Sequence, residues 1–379
     1  MKKMKRSVGV VAVLAVALMS GAATAETLKI GMMGPLTGPY AADGNDIANG
    51  VRVAIEVINE AGGIEGFDTI ELITQDTACD PKQAVAAANN LINDEVVGVV
   101  GAYCSSSTIP ASETLAEEDI LMLTPASTNE MVTDRGLPYM FRVCGRDDDQ
   151  APAAVRFMKE ALGAKNGIYR RSITTTYSQG LADGVAASSK EMGLEVLAHE
   201  HVNQGDKDFS AILTKAKAAA PDVLYMSLQN HSSGSLMAIQ ANRMGLDAAI
   251  LSQDAMFHPN FINVAKEAAE GVYVTFGYTD ESTEAYKQFA DKFSAQYGDI
   301  GAYAIYAYDA ATVLLNGIKQ AGSTDPAKIK EAIMAMDFQG ASKQIKFNEK
   351  GDSGSSYIAF KIENGEYRPY WHPETGYYQ

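Results

Sequence analysis

Two clusters of small hydroxyl residues are the part of this chain best placed to do chemistry. Ser105-Ser106-Ser107-Thr108 follows the apolar run at residues 96–102. Ser127-Thr128 follows the apolar run at residues 120–123. In an α/β sheet, ligands bind in the crevice outside the carboxyl ends of the strands. Hydroxyls and unpaired amides at a helix start suit an anion such as a carboxylate. Helix capping is the competing reading for Ser105–Thr108. The second cluster, one strand later, favours a shared pocket over two separate caps. The pair points to a receptor for a small acid-bearing molecule.

Other candidates are weaker. Gly351-Asp352-Ser353-Gly354 copies the nucleophile loop of trypsin-like proteases. Those proteases are all-β and need a histidine in its own context, which none of the five histidines has. A turn between two strands explains the string better, and no catalytic residue is expected. His199 and His201 would face the same way on a strand, as two metal ligands can. No third ligand is evident, so a solvated strand end is expected and no metal. The glycine-rich loop at residues 31–44 lacks the dinucleotide spacing and the P-loop lysine, which leaves no cofactor to expect.

The elements that would position the clusters alternate along the chain. Apolar runs at residues 28–33, 70–74, 96–102 and 120–123 read as strands. Helical spacing at Ile47, Val51, Ala54, Ile55 and Ile58, then at residues 82–93 and from about Thr108, reads as helices between them. Pro81 suits a first helical turn. This βαβ repetition implies a mainly parallel, doubly wound sheet. The rhythm restarts after Arg146-Asp147-Asp148-Asp149-Gln150. Helices are expected at 153–162, 180–192, 209–219 and 235–244, and strands at 167–173, 195–200, 223–228, 249–252 and 272–276. Three more helices, at 284–297, 303–320 and 326–335, precede a hairpin of 345–347 with 357–363. No flexible linker separates the units, which fits two α/β lobes joined by several strands around a cleft.

Composition bounds the setting. Lys2, Lys3, Lys5 and Arg6 precede a 12-residue apolar core at 8–19 and the small-residue site Ala23-Thr24-Ala25. That core is too short to span a bilayer, so residues 1–25 read as a cleaved secretory leader. No cysteine follows the core, which disfavours a lipoprotein. The whole chain has 31 Lys and Arg against 47 Asp and Glu, a formal net charge of −16. Losing the four basic leader residues makes it −20. Such acidity argues against nucleic acid or anionic lipid as a partner. Cys79 and Cys104 each sit just past a strand-like run and are expected to form a disulfide in an oxidising compartment. Cys144 would then be a leftover thiol. Three buried free thiols are the alternative.

The residues also carry a family resemblance. The chain resembles the periplasmic leucine/isoleucine/valine-binding proteins, type I solute-binding components of ABC importers. The match is densest at Gly34-Pro35-Leu36-Thr37-Gly38-Pro39, Ala78-Cys79-Asp80-Pro81-Lys82-Gln83-Ala84-Val85, Cys104-Ser105-Ser106-Ser107-Thr108 and Leu123-Thr124-Pro125-Ala126-Ser127-Thr128. Tyr177-Ser178-Gln179-Gly180, Lys207-Asp208-Phe209-Ser210 and Asn348-Glu349-Lys350-Gly351-Asp352 also fit. The resemblance implies two Rossmann-like lobes joined by three hinge crossings, near Arg146, Gly277 and Ser355. One lobe would take residues 26–146 and 278–355, the other 147–277 and 356–379.

It further implies that Ser105, Ala126 and Thr128 hold a ligand carboxylate and Asp254 its ammonium, with Tyr177 and Tyr303 beside them. A family tyrosine aligns with Gln229 or Asn230, and another aligns near Asp43. Arg170-Arg171 stands where the family is apolar. These departures predict a more polar side-chain end of the pocket. The implied partners are an amino-acid ligand, branched-chain or more polar, and the membrane subunits of an ABC permease, with the chain a monomer in the periplasm. Three alternatives compete. A sensory module for a membrane receptor would use the same site, the ligand could be a small amide or carboxylate instead of an amino acid, and an exported hydrolase would use Ser353.

Overall fold

The computed structural model describes residues 26–172, 175–203, 205–354 and 356–378, without the side chains of 168–172. The expected leader 1–25, the crossing at Ser355 and the side chains of Arg170 and Arg171 lie outside the described residues. Strand and helix alternate from the start: β1 (Thr27–Gly34), α1 (Ala41–Glu60), β2 (Thr69–Asp76), α2 (Pro81–Asn93), β3 (Gly98–Gly101), α3 (Ser105–Ala116), β4 (Leu121–Thr124), α4 (Met131–Asp134) and β5 (Met140–Arg142). The strands form one parallel sheet in the order β2-β1-β3-β4-β5. Crossover helices cover both faces of such a sheet, so its central strands are largely apolar. Those of β3, β4 and β5 are wholly buried.

Local chemistry fixes the helix starts. The Asp80 carboxylate accepts from the N–H groups of Lys82 and Gln83, and Pro81 fills the first turn of α2.

A second round follows: α5 (Asp147–Arg156), β6 (Asn166–Ser172), α6 (Thr176–Glu191), β7 (Glu195–Val202), α7 (Ser210–Ala219), β8 (Val223–Ser227), α8 (His231–Arg243), β9 (Ala249–Ser252), α9 (Pro259–Ala265) and β10 (Tyr273–Gly277). Helices α10 (Glu284–Tyr297), α11 (Ala304–Ala321) and α12 (Pro326–Met334) then return to the first core, where Phe289, Phe293, Leu314 and Ile333 are buried with Ile30, Val51 and Leu123. Gly50 lets α1 and α11 touch, since a Cβ there would lie 2.2 Å from the Ala304 carbonyl oxygen.

A two-stranded ribbon, β11 (Phe338–Gln339) and β12 (Gln344–Ile345), precedes β13 (Tyr357–Glu363), β14 (Glu366–His372) and β15 (Gly376–Tyr377). The second sheet runs β15-β14-β13-β10-β9-β8-β6-β7. Its β6–β10 part is parallel, and β13 joins β10 antiparallel. Its core gathers Leu181, Leu213, Tyr225, Met237 and Phe261.

The expected terminal hairpin is corrected. Residues 344–345 pair with 338–339, whereas β13 pairs with β10 and β14. Several helices begin earlier than their apolar periodicity: α3 at Ser105, α5 at Asp147 and α8 at His231. Their first turns are polar, because unpaired helix-start amides favour acids, hydroxyls and amides there.

Candidate functional site

The two hydroxyl clusters meet. Gly101 ends β3 in a backbone conformation reserved for glycine, and a Cβ there would lie 2.2 Å from the Met33 carbonyl oxygen. The chain then passes Ala102 and Tyr103 to Cys104, which precedes α3. The disulfide Cys79–Cys104 holds this corner, with a Cα–Cα distance of 5.5 Å. Cys144 is buried as a free thiol, its pKa pushed up to about 12 by burial.

Thr108 and Ser127 share a hydrogen bond of 2.6 Å, and Ser127 Oγ donates to the carbonyls of Ala102 and Tyr103. Thr124 Oγ1 accepts from the N–H groups of Ala126 and Ser127. Asn129 N–H donates to Ser105 Oγ at 3.4 Å. Thr108, Ser127 and Thr124 therefore build the corner. No hydroxyl of α3 caps the helix through the residue preceding it, which is Cys104. Thr128 Oγ1 is buried without a hydrogen-bond partner.

Arg142, at the end of β5 and fully buried, braces this loop from behind. Its Nη1 donates to the carbonyls of Ser127, Thr128 and Asn129, and its Nε to Asp352 Oδ1 at 2.7 Å. Asp352 belongs to the Gly-Asp-Ser-Gly string, which is thus half of a buried ion pair. Ser353 Oγ donates to the carbonyls of Arg142 and Val143 and accepts from Lys343 Nζ. It is tied into the same joint.

Opposite stands Asp254, 2% exposed, in a short turn after β9. Tyr177 OH, from α6, donates to its Oδ1 at 2.5 Å, and Tyr303 OH, from just before α11, donates to Oδ2. One carboxylate thus joins both lobes. Burial raises its pKa, and the two phenols pull it back. Asp147, at the start of α5, donates its N–H to the Thr128 carbonyl. Burial drives its carboxyl well above the usual range, and the Asp254 charge adds to this.

Ser105, Ala126, Tyr177, Gln229, Asp254 and Tyr303 line one small cavity of about 200 Å³, with Tyr103 and Ala255. Thr128 lines an adjoining one that shares Asp254 and Tyr303. Among the described residues, no Lys or Arg lines either. Asn230 stands apart: its Oδ1 caps α8 and its Nδ2 donates to the Pro39 carbonyl.

Gln229 faces the cavity, yet Tyr40, Tyr103 and Tyr303 form a chain of rings with centroids 6.0 and 5.6 Å apart. Sequence reasoning missed Tyr103, Arg142 and Asp147; only Tyr103, next to Cys104, had a nearby signal. His199 and His201 lie on β7 with rings 6.1 Å apart, and among the described residues no group of His, Cys, Asp or Glu could hold a metal. No helix among them is long and apolar enough to cross a membrane.

The family model for periplasmic binding proteins matches residues 27–365. The chain is 37% identical over 353 residues to a leucine-, isoleucine-, valine-, threonine- and alanine-binding protein of Pseudomonas aeruginosa, covering 93% of this chain and 91% of the relative. A leucine-binding protein of Thermotoga maritima superposes with a TM-score of 0.84 at 31% identity, over 90% of this chain and 97% of that one. A solute-binding protein from R. palustris in complex with benzoate shares the fold, with a TM-score of 0.83 at 19% identity over 93% and 96%. With its two parallel-sheet lobes, the chain belongs to the periplasmic binding protein family, among the solute-binding proteins of branched-chain amino acid ABC transporters, and is a binder of solutes rather than an enzyme.

Proposed function

We propose that this protein captures an α-amino acid between its lobes and delivers it to the permease of an ABC importer. The observation that carries this reading is Asp254: a buried carboxylate with no Lys or Arg beside it among the described residues, opposite a corner of hydroxyls and backbone amides. A zwitterion complements both ends at once. Ser105, Thr128 and the Ala126 backbone take the carboxylate, and Asp254 takes the ammonium by charge-assisted hydrogen bonds. Tyr177 and Tyr303 flank the head group, and Gln229 and Asn230 stand toward the side chain.

The lobes, 26–146 with 278–355 and 147–277 with 356–379, hinge near Arg146, Gly277 and Ser355 and close over the ligand. The leader 1–25 sends the chain to the periplasm, where it acts as a monomer. Calorimetry with the common L-amino acids, leucinamide and benzoate tests the reading. Binding of at least one amino acid is expected, with none of leucinamide, which lacks the carboxylate, or benzoate, which lacks the ammonium. A panel with no amino-acid response overturns it.

A further inference from the structure

A second chamber lies behind the head-group cavity. It holds about 280 Å³ and is bounded by Tyr40 from the first lobe and by Thr175, Phe209, Leu228, Gln229 and Ser233 from the second. Gln229 lines both spaces and is the partition between them. We propose that the ligand's side chain passes Gln229 into this chamber, and that the protein prefers α-amino acids with long, unbranched, uncharged side chains, of methionine or glutamine length. This rests on the cleft being an amino-acid site.

The partition is lightly held. Gln229 Nε2 donates to Cys104 Sγ at 2.9 Å. Sulfur is a weak acceptor, so the amide gives up little when it turns aside. Its neighbours are fixed. Asn230 is bonded at both ends of its amide, and Thr175 Oγ1 accepts from Ser178 N–H. The head-group cavity itself is small, and Tyr103 and Gln229 both line it.

The chamber's wall sets the class. Tyr40, Phe209 and Leu228 are buried rings and alkyl groups that suit a methylene chain. Thr175, Gln229 and Ser233 supply hydroxyls and an amide for a polar tip. Among the described residues no charged side chain lines the chamber, so these walls offer a charged tip no counter-charge for the water it would lose. An unbranched chain is the narrowest that can pass beside Gln229 from one space to the other.

The test is calorimetry of the full mature chain with alanine, valine, methionine, glutamine, lysine and glutamate, repeated on Ser233→Met. Ser233 is on α8, where methionine is a good helix former, and circular dichroism checks the fold of the variant. Methionine and glutamine are expected to bind at least tenfold tighter than valine, lysine and glutamate. In Ser233→Met, which fills the chamber, both should lose at least tenfold, and alanine much less. Valine binding tighter than methionine and glutamine overturns the chamber while leaving the amino-acid site intact. So does an equal loss for alanine and methionine in the variant. No binding by any amino acid removes both.

Discussion

Ser105 and Asp254 mark the two ends of the proposed head-group site, and each can be tested alone. Hydrogen bonds to charged groups contribute about 1.5–3 kcal/mol. Ser105→Ala and Asp254→Asn are therefore each expected to weaken amino-acid binding by roughly ten- to a hundredfold, read by calorimetry with thermal stability as the control for folding. Unchanged affinity in both would remove the assignment. Ser105 was legible in the sequence as part of a hydroxyl cluster at a strand end, and Asp254 only through the family resemblance. Arg142 and Asp147 were not. A charged residue reads as surface until its partner is known, and the partner of Arg142, Asp352, is 210 positions away. The same distance hid the role of the Gly-Asp-Ser-Gly string, whose composition alone says only that the chain turns.

The corner between β3, α3 and β4 depends on two ties that lie outside the cavity. The first is Cys79–Cys104, which closes a loop with a separation of 25 residues. The chain-entropy model assigns such a loop roughly 3 kcal/mol. Thiol titration of the unreduced, denatured protein should find one thiol, Cys144, and reduction should lower stability by about that amount in urea; three thiols would deny the bridge. The second tie is Arg142–Asp352, both buried, which joins β5 to the segment before β13. Removing one partner of a buried pair typically costs about 3–5 kcal/mol, because the other charge is left uncompensated. Asp352→Asn is expected to lower unfolding stability by that order, and a loss under 1 kcal/mol would show that the carbonyls around Arg142 suffice. Elements with long apolar periods, such as α2 and α11, were legible at nearly their full length, and α1 from Ile47 onward. Three-residue β5 is too short to show a period, and β14, Glu-Tyr-Arg-Pro-Tyr-Trp-His, is polar on its outer face and carries a proline. Its place in the sheet comes from pairing with β13, which no local pattern encodes.

The proposed closure would also bring together ionisable groups outside the head-group cavity. Asp43 and Asp46 on α1 face His231 and His258 of the other lobe, with His231 Nδ1 3.7 Å from Asp43 and His258 Nε2 3.5 Å from Asp46. The two imidazoles stack with centroids 4.6 Å apart. Burial raises the Asp43 pKa from its ordinary 3.8 to about 7, with His258 pulling it down and Asp46 pushing it up. Burial opposes the charge on His258, but Asp46 and Asp43 outweigh it and its pKa is raised. Burial and the His258 charge lower His231 to about 4. A group whose pKa is higher in the closed form takes up a proton on closing, so its support for closure is lost as pH rises through the closed value. A group whose pKa is lower releases one, so its support is lost as pH falls below its open value. Between about pH 4 and 6.5, uptake by Asp43 and release by His231 nearly cancel. Above 6.5, His231 is neutral in both forms, while Asp43 and His258 still gain protons on closing. The contribution of these groups to ligand affinity is therefore expected to hold nearly level between about pH 4 and 6.5 and to fall as pH rises past about 7. At pH 7, binding enthalpies measured in phosphate and in Tris should differ in the sense of proton uptake, and Asp43→Asn should reduce that uptake. Affinity that is flat from pH 6 to 8, with the same uptake in Asp43→Asn, would mean that these four residues do not come together when the ligand binds.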